Sequence, residues 1–277
     1  MNLDEQISKR VDKGYRFELW NENVIRFPDQ NTLNTKVKQI RNPQKEISGG
    51  FLFLRYKFKM LGKKIKFKIP NVPSKKFLKG KFVILEPVDP SKHGKDLFET
   101  FSLDKQGLLW KYMPDGPFKN LKQLNHYLKN TDCFFYAIYS KRHKKYCGLA
   151  SYLRIQPKAG SIEVGYITYS PILKKTVEAT EAMYLMMKNV FETLKYRRYE
   201  WKCNNGNEKS KNAALRLGFK FEGVFRQAAV VKGRNRDTAW FSVIDKEWKK
   251  LKKSYFRYFS NKNLDKNFKQ KRSLKFS

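Results

Sequence analysis

Cysteine is scarce in this chain of 277 residues: there are three, Cys133, Cys147 and Cys203. The number is odd and no Cys-x-x-Cys occurs, so neither a disulfide scaffold nor a cysteine-based zinc site is expected. Reduced thiols in a cytoplasmic protein are the reading that fits. Histidine is equally sparse. His93, His126 and His143 lie far apart without ligand spacing, so no metal is expected. No apolar run approaches the ~18–20 residues of a membrane span. The longest, Phe51 to Leu54, runs into Arg55, Lys57 and Lys59. The opening Met1-Asn-Leu-Asp-Glu5 lacks the basic start and apolar stretch of a secretory signal. Acidic side chains are also few: 25 Asp and Glu stand against 60 Lys and Arg, for a formal charge of +35.

What is present suffices for a core. Hydrophobic residues make up 40% and aromatics 15%, which excludes a wholly disordered chain. The length allows one large domain, or one domain with an appendage. Of the 60 cations, 45 are Lys. Lysine is a point charge, less suited than Arg to forked recognition of phosphate or guanine. Two readings of the charge stand side by side. One is a solvated basic surface, inflated by AT-rich coding. The other is non-specific attraction to nucleic acid or the ribosome.

Three zones follow. Residues 1–59 are polar and weakly periodic with a net charge of +5, and are expected to be a poorly ordered extension. Residues 60–247 hold the periodic segments. Residues 248–277 form a basic tail with one acid, Asp265, and Trp248, Tyr255, Phe256, Tyr258 and Phe259 interleaved; a short helix is expected at its start and fraying from 269 onward. In the middle zone a strand over 81–88 precedes helices over 91–103, with Ser91 as N-cap, and 120–129. Strands follow over 133–140, 146–155 and 161–169. A long helix over 177–194 carries Ala179, Ala182, Met183, Met186, Met187, Val190, Phe191 and Leu194 at period 3.6, widened by Tyr184 and Leu185, and reads as buried. A strand over 197–203, a helix over 207–217 and an antiparallel pair over 219–231 and 238–244 complete the order. A helix linking 161–169 to 197–203 implies a right-handed parallel crossover. The fold class is therefore α/β: a mixed, mostly antiparallel sheet with one parallel junction and helices on both faces.

A parallel junction that feeds a helix N-terminus favours an anion, because free backbone N–H groups and the helix dipole converge there. The loop is Ser170-Pro-Ile-Leu-Lys-Lys-Thr176. It reads either as a diphosphate site or as an ordinary cap at Thr176 beside two surface lysines. The element order, Ile162-Glu-Val-Gly-Tyr166, Asn207-x-x-Ser210, Leu217-Gly-Phe219, Glu222-Gly223 and Val231-Lys-Gly-Arg-Asn-Arg-Asp-Thr-Ala-Trp-Phe-Ser242 together resemble the Gcn5-related N-acetyltransferases. Within them the chain looks most like the branch of ribosomal-protein N-terminal acetyltransferases. The resemblance runs from about Ile65 to the tail near Ser273.

The resemblance implies an enzyme that moves an acetyl group from acetyl-CoA, its co-substrate, to a primary amine of a protein N-terminus or a small molecule. It implies a diphosphate grip by Lys174, Lys175, Thr176, Val177 and Ala179, with Val177 where the family pattern carries Gly. It implies pantetheine pairing at Ile167 and Tyr169, and contact from Asn207, itself readable as a helix cap. Glu163 is the leading base, or else a carboxylate paired with Arg154; Glu222 is second. Ser210 serves the departing thiolate or merely caps its helix; Ala214 stands where many relatives have Tyr. Backbone N–H near Val164 would face the oxyanion. The loop Leu108–Phe118 reads as an acceptor wall or a packed loop, and the turn Lys232–Asp237 as an anion contact or a solvated turn. The alternative to the enzyme is an RNA- or ribosome-binding module on the same fold with weak or no catalysis.

Residues 1–59 are expected to be dispensable, with Met60 as the functional start. The short apolar run Phe51–Leu54 is the main argument against, since burial contributes ~1.5–3 kcal/mol per side chain. Expressed residues 60–277 are expected to match the full chain in melting temperature and acetyl-CoA binding. Insolubility, or a melting point many degrees lower, would refute this.

Overall fold

The computed structural model describes residues 15–20, 23–28 and 62–276. The chain divides into two units, 1–66 and 67–277. In the first, β1 (Tyr15–Trp20) and β2 (Asn23–Pro28) pair antiparallel, Tyr15 against Pro28 and Trp20 against Asn23. The alternation Tyr15, Phe17, Leu19 is only three positions long, too short to stand out in a polar segment. The expectation for Phe51–Leu54 falls outside the described residues.

The second unit is one eight-stranded sheet in the order β3-β4-β5-β6-β7-β8-β10-β9. Its strands are β3 (Leu78–Lys79), β4 (Val83–Pro87), β5 (Phe134–Ser140), β6 (Lys145–Gln156), β7 (Ser161–Tyr169), β8 (Arg198–Asn204), β9 (Lys220–Val231) and β10 (Arg234–Ile244). Only β7 and β8 are parallel. Helices α1 (Pro90–Phe101) and α2 (Leu121–Lys129) cover one face, where Leu97, Phe101, Leu124 and Leu128 pack on Phe135, Ala137 and Leu149. Helices α3 (Val177–Lys188), α4 (Glu208–Arg216) and α5 (Asp245–Tyr258) contribute to the other, larger core.

Helix α3 is buried from Val177 to Met187, because the sheet lies on one side and α5 on the other. Tyr184 stacks on Trp248 with centroids 5.9 Å apart and meets Tyr255 at 5.0 Å. Trp248, Tyr255 and Tyr258 of the tail are thus core residues and Phe259 packs against them, while Phe256 is exposed. The end of the chain, expected to fray, is held too. Leu264 bridges to Gln270, Leu274 is buried, and Phe276 meets Tyr255 at 5.7 Å. Gly218 makes room for it: at φ +92°, a Cβ there would stand 2.8 Å from Leu251 and 3.0 Å from Phe276.

Three local boundaries differ from the sequence reading. The long helix expected over 177–194 is α-helical only to Lys188, and Asn189–Leu194 continues it as a π-helix. The cap of α1 is Asp89, whose carboxylate accepts from the Ser91 N–H at 2.9 Å and hydroxyl at 2.6 Å. Pro90 is then the first helical residue, where its missing N–H costs nothing. Strand β10 begins at Arg234, because Lys232 and Gly233 both take positive φ, +50° and +70°, as a two-residue hairpin turn requires.

Candidate active site at the parting of two parallel strands

Strands β7 and β8 stay paired only from Ser161–Arg198 to Val164–Trp201. Past that point β7 bulges: Tyr166 and Ile167 together oppose Ala150, between the pairs Ser151–Gly165 and Leu149–Thr168. Tyr166 takes φ +49°, and the Ser151 hydroxyl donates to the Gly165 carbonyl at 3.0 Å. A bulge bends and twists its strand, so β7 leaves β8 and a gap opens. Strand β6 still holds the other edge of β7, where Ser170 N–H donates to Cys147 O at 3.0 Å. Strand N–H directions alternate. The polar backbone of Tyr169 therefore points away from β6, toward the gap; Ile167 sits in the bulge itself.

Residues 170–176 then turn into α3. Ser170 O accepts from Leu173 and Lys174 N–H at 3.0 and 3.1 Å, and Lys175 takes φ +60°. Thr176 caps the helix: its Oγ1 accepts from Ala179 N–H at 3.1 Å and donates to Leu173 O at 2.7 Å. The N–H groups of Val177 and Glu178 have no acceptor within the helix. The Val177 and Ala179 side chains are buried in the core. The departure from glycine at 177 therefore does not put a side chain on the loop's outer surface. Lys174 and Lys175 are exposed. Packing lowers the Lys174 pKa, as does the charge of Lys209 on α4, while Asp104 opposes them. This loop fits a diphosphate. Lys174→Ala/Lys175→Ala is expected to weaken CoA binding about 3- to 10-fold at low salt and to flatten its salt dependence. Calorimetry with wild-type affinity at both low and high salt would sink this.

Glu163 and Glu200 face each other across the β7–β8 ladder, one pair before the gap. The Glu163 side chain is 4% exposed. Arg154 Nη1 donates to both its oxygens, at 2.9 and 2.8 Å. Lys202 Nζ lies 2.9 Å from Glu163 and 2.8 Å from Glu200, and 3.7 Å from the centre of the Trp240 ring. The Arg154 pairing considered from sequence is present, and Lys202, itself 6% exposed, joins it. Lys202 was the residue sequence reasoning missed. Its placement beside Glu200 on one strand face and the parallel crossover were the available signals, but the spacing did not set the register that brings Lys202 to Glu163. Glu222 lies at the other end of β8, bound by Arg198 and by the Ser242 hydroxyl at 2.6 Å; the Arg198 guanidinium holds its pKa down. It does not join the gap.

On β8's core face, Trp201 Nε1 donates to Ser210 Oγ at 3.0 Å. Asn207 caps α4 by accepting from Ser210 N–H at 3.2 Å. Both sit where β8 ends. The Cys203 thiol is pushed up by burial, against the Ser210 hydroxyl and the Arg236 charge. Ala214 is fully buried one turn on. The 108–118 loop and the hairpin tip meet: Lys232 Nζ donates to Trp110 O at 3.1 Å and Gly116 O at 2.8 Å, and the Tyr112 hydroxyl donates to Gly206 O at 2.9 Å. Among the described residues no group of three His, Cys, Asp or Glu is placed to hold a metal, and no helix is long and apolar enough to cross a membrane.

The family profile described as acetyltransferase (GNAT) domain matches residues 83–220. A GCN5-related N-acetyltransferase from Brucella melitensis is 40% identical, with a TM-score of 0.73 over 75% of this chain and 96% of that one. YdaF of Bacillus subtilis strain 168, named as a candidate ribosomal N-acetyltransferase, is 29% identical over 102 residues, or 37% of this chain. The match spans 55% of that relative's length. RimL, a ribosomal L7/L12 alpha-N-protein acetyltransferase solved with coenzyme A, shares the fold at TM-score 0.54 and 19% identity, over 61% of this chain and 99% of that one. The parted strands, the capped turn into α3 and these likenesses agree: the chain belongs to the GCN5-related N-acetyltransferases, and its 67–277 unit is an acetyl-CoA-dependent domain that transfers acetyl to an amine.

Proposed function

We propose that the acceptor is a primary amine, on a protein N-terminus or a small molecule, that attacks the donor thioester directly in the β7–β8 gap. The observation that carries this is the parting of the strands just past Val164 and Trp201, with Glu163, Ser210 and the free edge of Tyr169 around it. In this reading Ile167 and Tyr169 pair with pantetheine, Asn207 flanks it, and Lys174, Lys175, Thr176, Val177 and Ala179 form the diphosphate loop. An attacking amine must be neutral, yet a lysine amine (~10.4) or α-amine (~8) is largely charged at pH 7. Glu163 receives that proton through ordered water, because its own oxygens are engaged by Arg154 and Lys202. Ser210 Oγ accepts from Trp201, which leaves its hydroxyl hydrogen to donate to the departing sulfur. Backbone N–H at the bulge beside Val164 stabilises the oxyanion. The test is free-thiol release with a panel of amines. Direct attack gives ternary-complex kinetics; ping-pong kinetics would refute it.

A ribosomal protein as acceptor is supported by the names of YdaF and RimL. Ribosome or RNA association through the lysine-rich surface belongs to the same reading and is expected to weaken steeply with salt; sedimentation with ribosomes unaffected by salt would contradict it. A cytoplasmic location is supported by Cys133, Cys147 and Cys203, all free, and is checked by fractionation.

A further inference from the structure

Three cations sit close together at the β9–β10 hairpin, and each is used differently. Lys232 is spent on the carbonyls of the 108–118 loop. Arg234 is exposed. Arg236 is half-buried, and its Nε donates to Thr238 Oγ1 at 3.2 Å. Among the described residues no carboxylate lies within ion-pair distance of it. Thr238 pairs with Asn204, the last residue of β8, and Asn205 N–H donates to Asp237 O at 2.8 Å. Arg236 therefore stands just past the end of β8, where the chain turns toward the Asn207 cap.

The last β7–β8 pair is Val164–Trp201, so β8 runs on to Asn204 without β7 beside it, and Thr238 sets Arg236 next to the end of that stretch. The guanidinium is thus at the mouth of the gap. Arg154 is committed to Glu163 instead. Arg236 is left as the uncommitted, half-buried arginine of the hairpin.

We propose that the acceptor is an amine that also carries an anionic group, a carboxylate or a phosphate, and that Arg236 grips this group. A guanidinium has five N–H donors in a plane, and Thr238 uses one. The remaining fork suits two parallel bonds to a carboxylate or phosphate. A partly desolvated cation without a counter-charge is unfavourable until a ligand supplies one. This rests on acetyl transfer taking place in the β7–β8 gap.

The experiment measures kcat/KM for matched acceptors in wild type, Arg236→Met and Arg236→Lys. One arm uses peptides beginning Ser-Glu or Ser-Gln. The other uses an amino acid against its amide, and phosphoethanolamine against ethanolamine. Acetyl-CoA binding and melting temperature report folding of each variant. Wild type is expected to favour the anionic member roughly 10- to 100-fold, the size of losing hydrogen bonds to a charged group. The ratio is expected to fall near one in Arg236→Met and to recover in part in Arg236→Lys. The arm that shows the preference identifies the source of the anion. A ratio near one in wild type, or one unchanged in Arg236→Met, overturns the proposal. If no amine in the panel is acetylated while acetyl-CoA still binds, the acceptor class is wrong and the donor site stands. If wild type does not bind acetyl-CoA, the gap reading fails and this proposal with it.

Discussion

Glu163→Gln is expected to lower kcat by about 10²- to 10⁴-fold, the range for removing a general base, with acetyl-CoA affinity kept within a few-fold. The amide matches the carboxylate in shape but cannot hold the amine's proton. The substitution also tests the other role of this residue. Lys202 would keep one carboxylate, Glu200, of the two that now hold it, and weakening a buried ion pair on one side destabilises. Kinetics and melting separate the two roles. A base leaves its mark on the pH–rate profile; an ion-pair partner lowers the melting temperature alone. An unchanged pH–rate profile in folded Glu163→Gln rules out the base assignment.

Glu181→Ala is expected to cost about 3–5 kcal/mol of stability, from stranding hydrogen-bond donors at ~1–3 kcal/mol each. The Glu181 carboxylate is 4% exposed and accepts from three consecutive backbone N–H groups, Lys81 at 2.8 Å, Phe82 at 2.6 Å and Val83 at 2.9 Å. It ties α3 to the start of β4. For a domain of this size the loss is a fall in melting temperature of roughly 10 °C or more, read by calorimetry; a fall of only a degree or two would contradict it. The acid also gives stability a pH dependence. Burial raises its pKa above the ordinary 4.5, against the three N–H bonds. The folded chain then holds the proton more tightly than the unfolded one. The Glu181 contribution therefore favours folding most below its ordinary pKa and declines as pH rises through the raised one. Replacing the group by Gln should remove that downward slope; an identical pH–stability curve would disprove the attribution.

Much of this arrangement was legible in local pattern. The period-3.6 stripe from Ala179 to Met187, the alternation of Tyr199, Trp201 and Cys203 against Glu200 and Lys202, and Thr176 or Asn207 ahead of a helix are properties of neighbouring residues. Helix caps and strand faces depend on backbone geometry within a few residues, so they survive without a partner. Two of the boundaries that moved, at Asp89 and Arg234, did so for local reasons as well: a proline accepted at the first helical position, and a two-residue turn tighter than the charged run suggested.

Element order by itself determined the fold class and the single parallel junction, and the family resemblance carried by Ile162–Tyr166, Asn207, Ser210 and Val231–Ser242 implied the class of chemistry. Tertiary structure alone decided what those residues touch. Glu163 meets Lys202 because parallel register sets Glu163 opposite Glu200, two residues before Lys202 on the same strand face. Ser210 meets the Trp201 indole because α4 folds back over β8. The tail is core because Tyr184 offers Trp248 and Tyr255 a face that the sheet leaves open. Of three cations in one hairpin, Arg236 is the half-buried one, and it has no counter-charge within ion-pair distance among the described residues. Contacts of this kind depend on which surfaces the packed sheet brings together, and sequence distance carries no record of them.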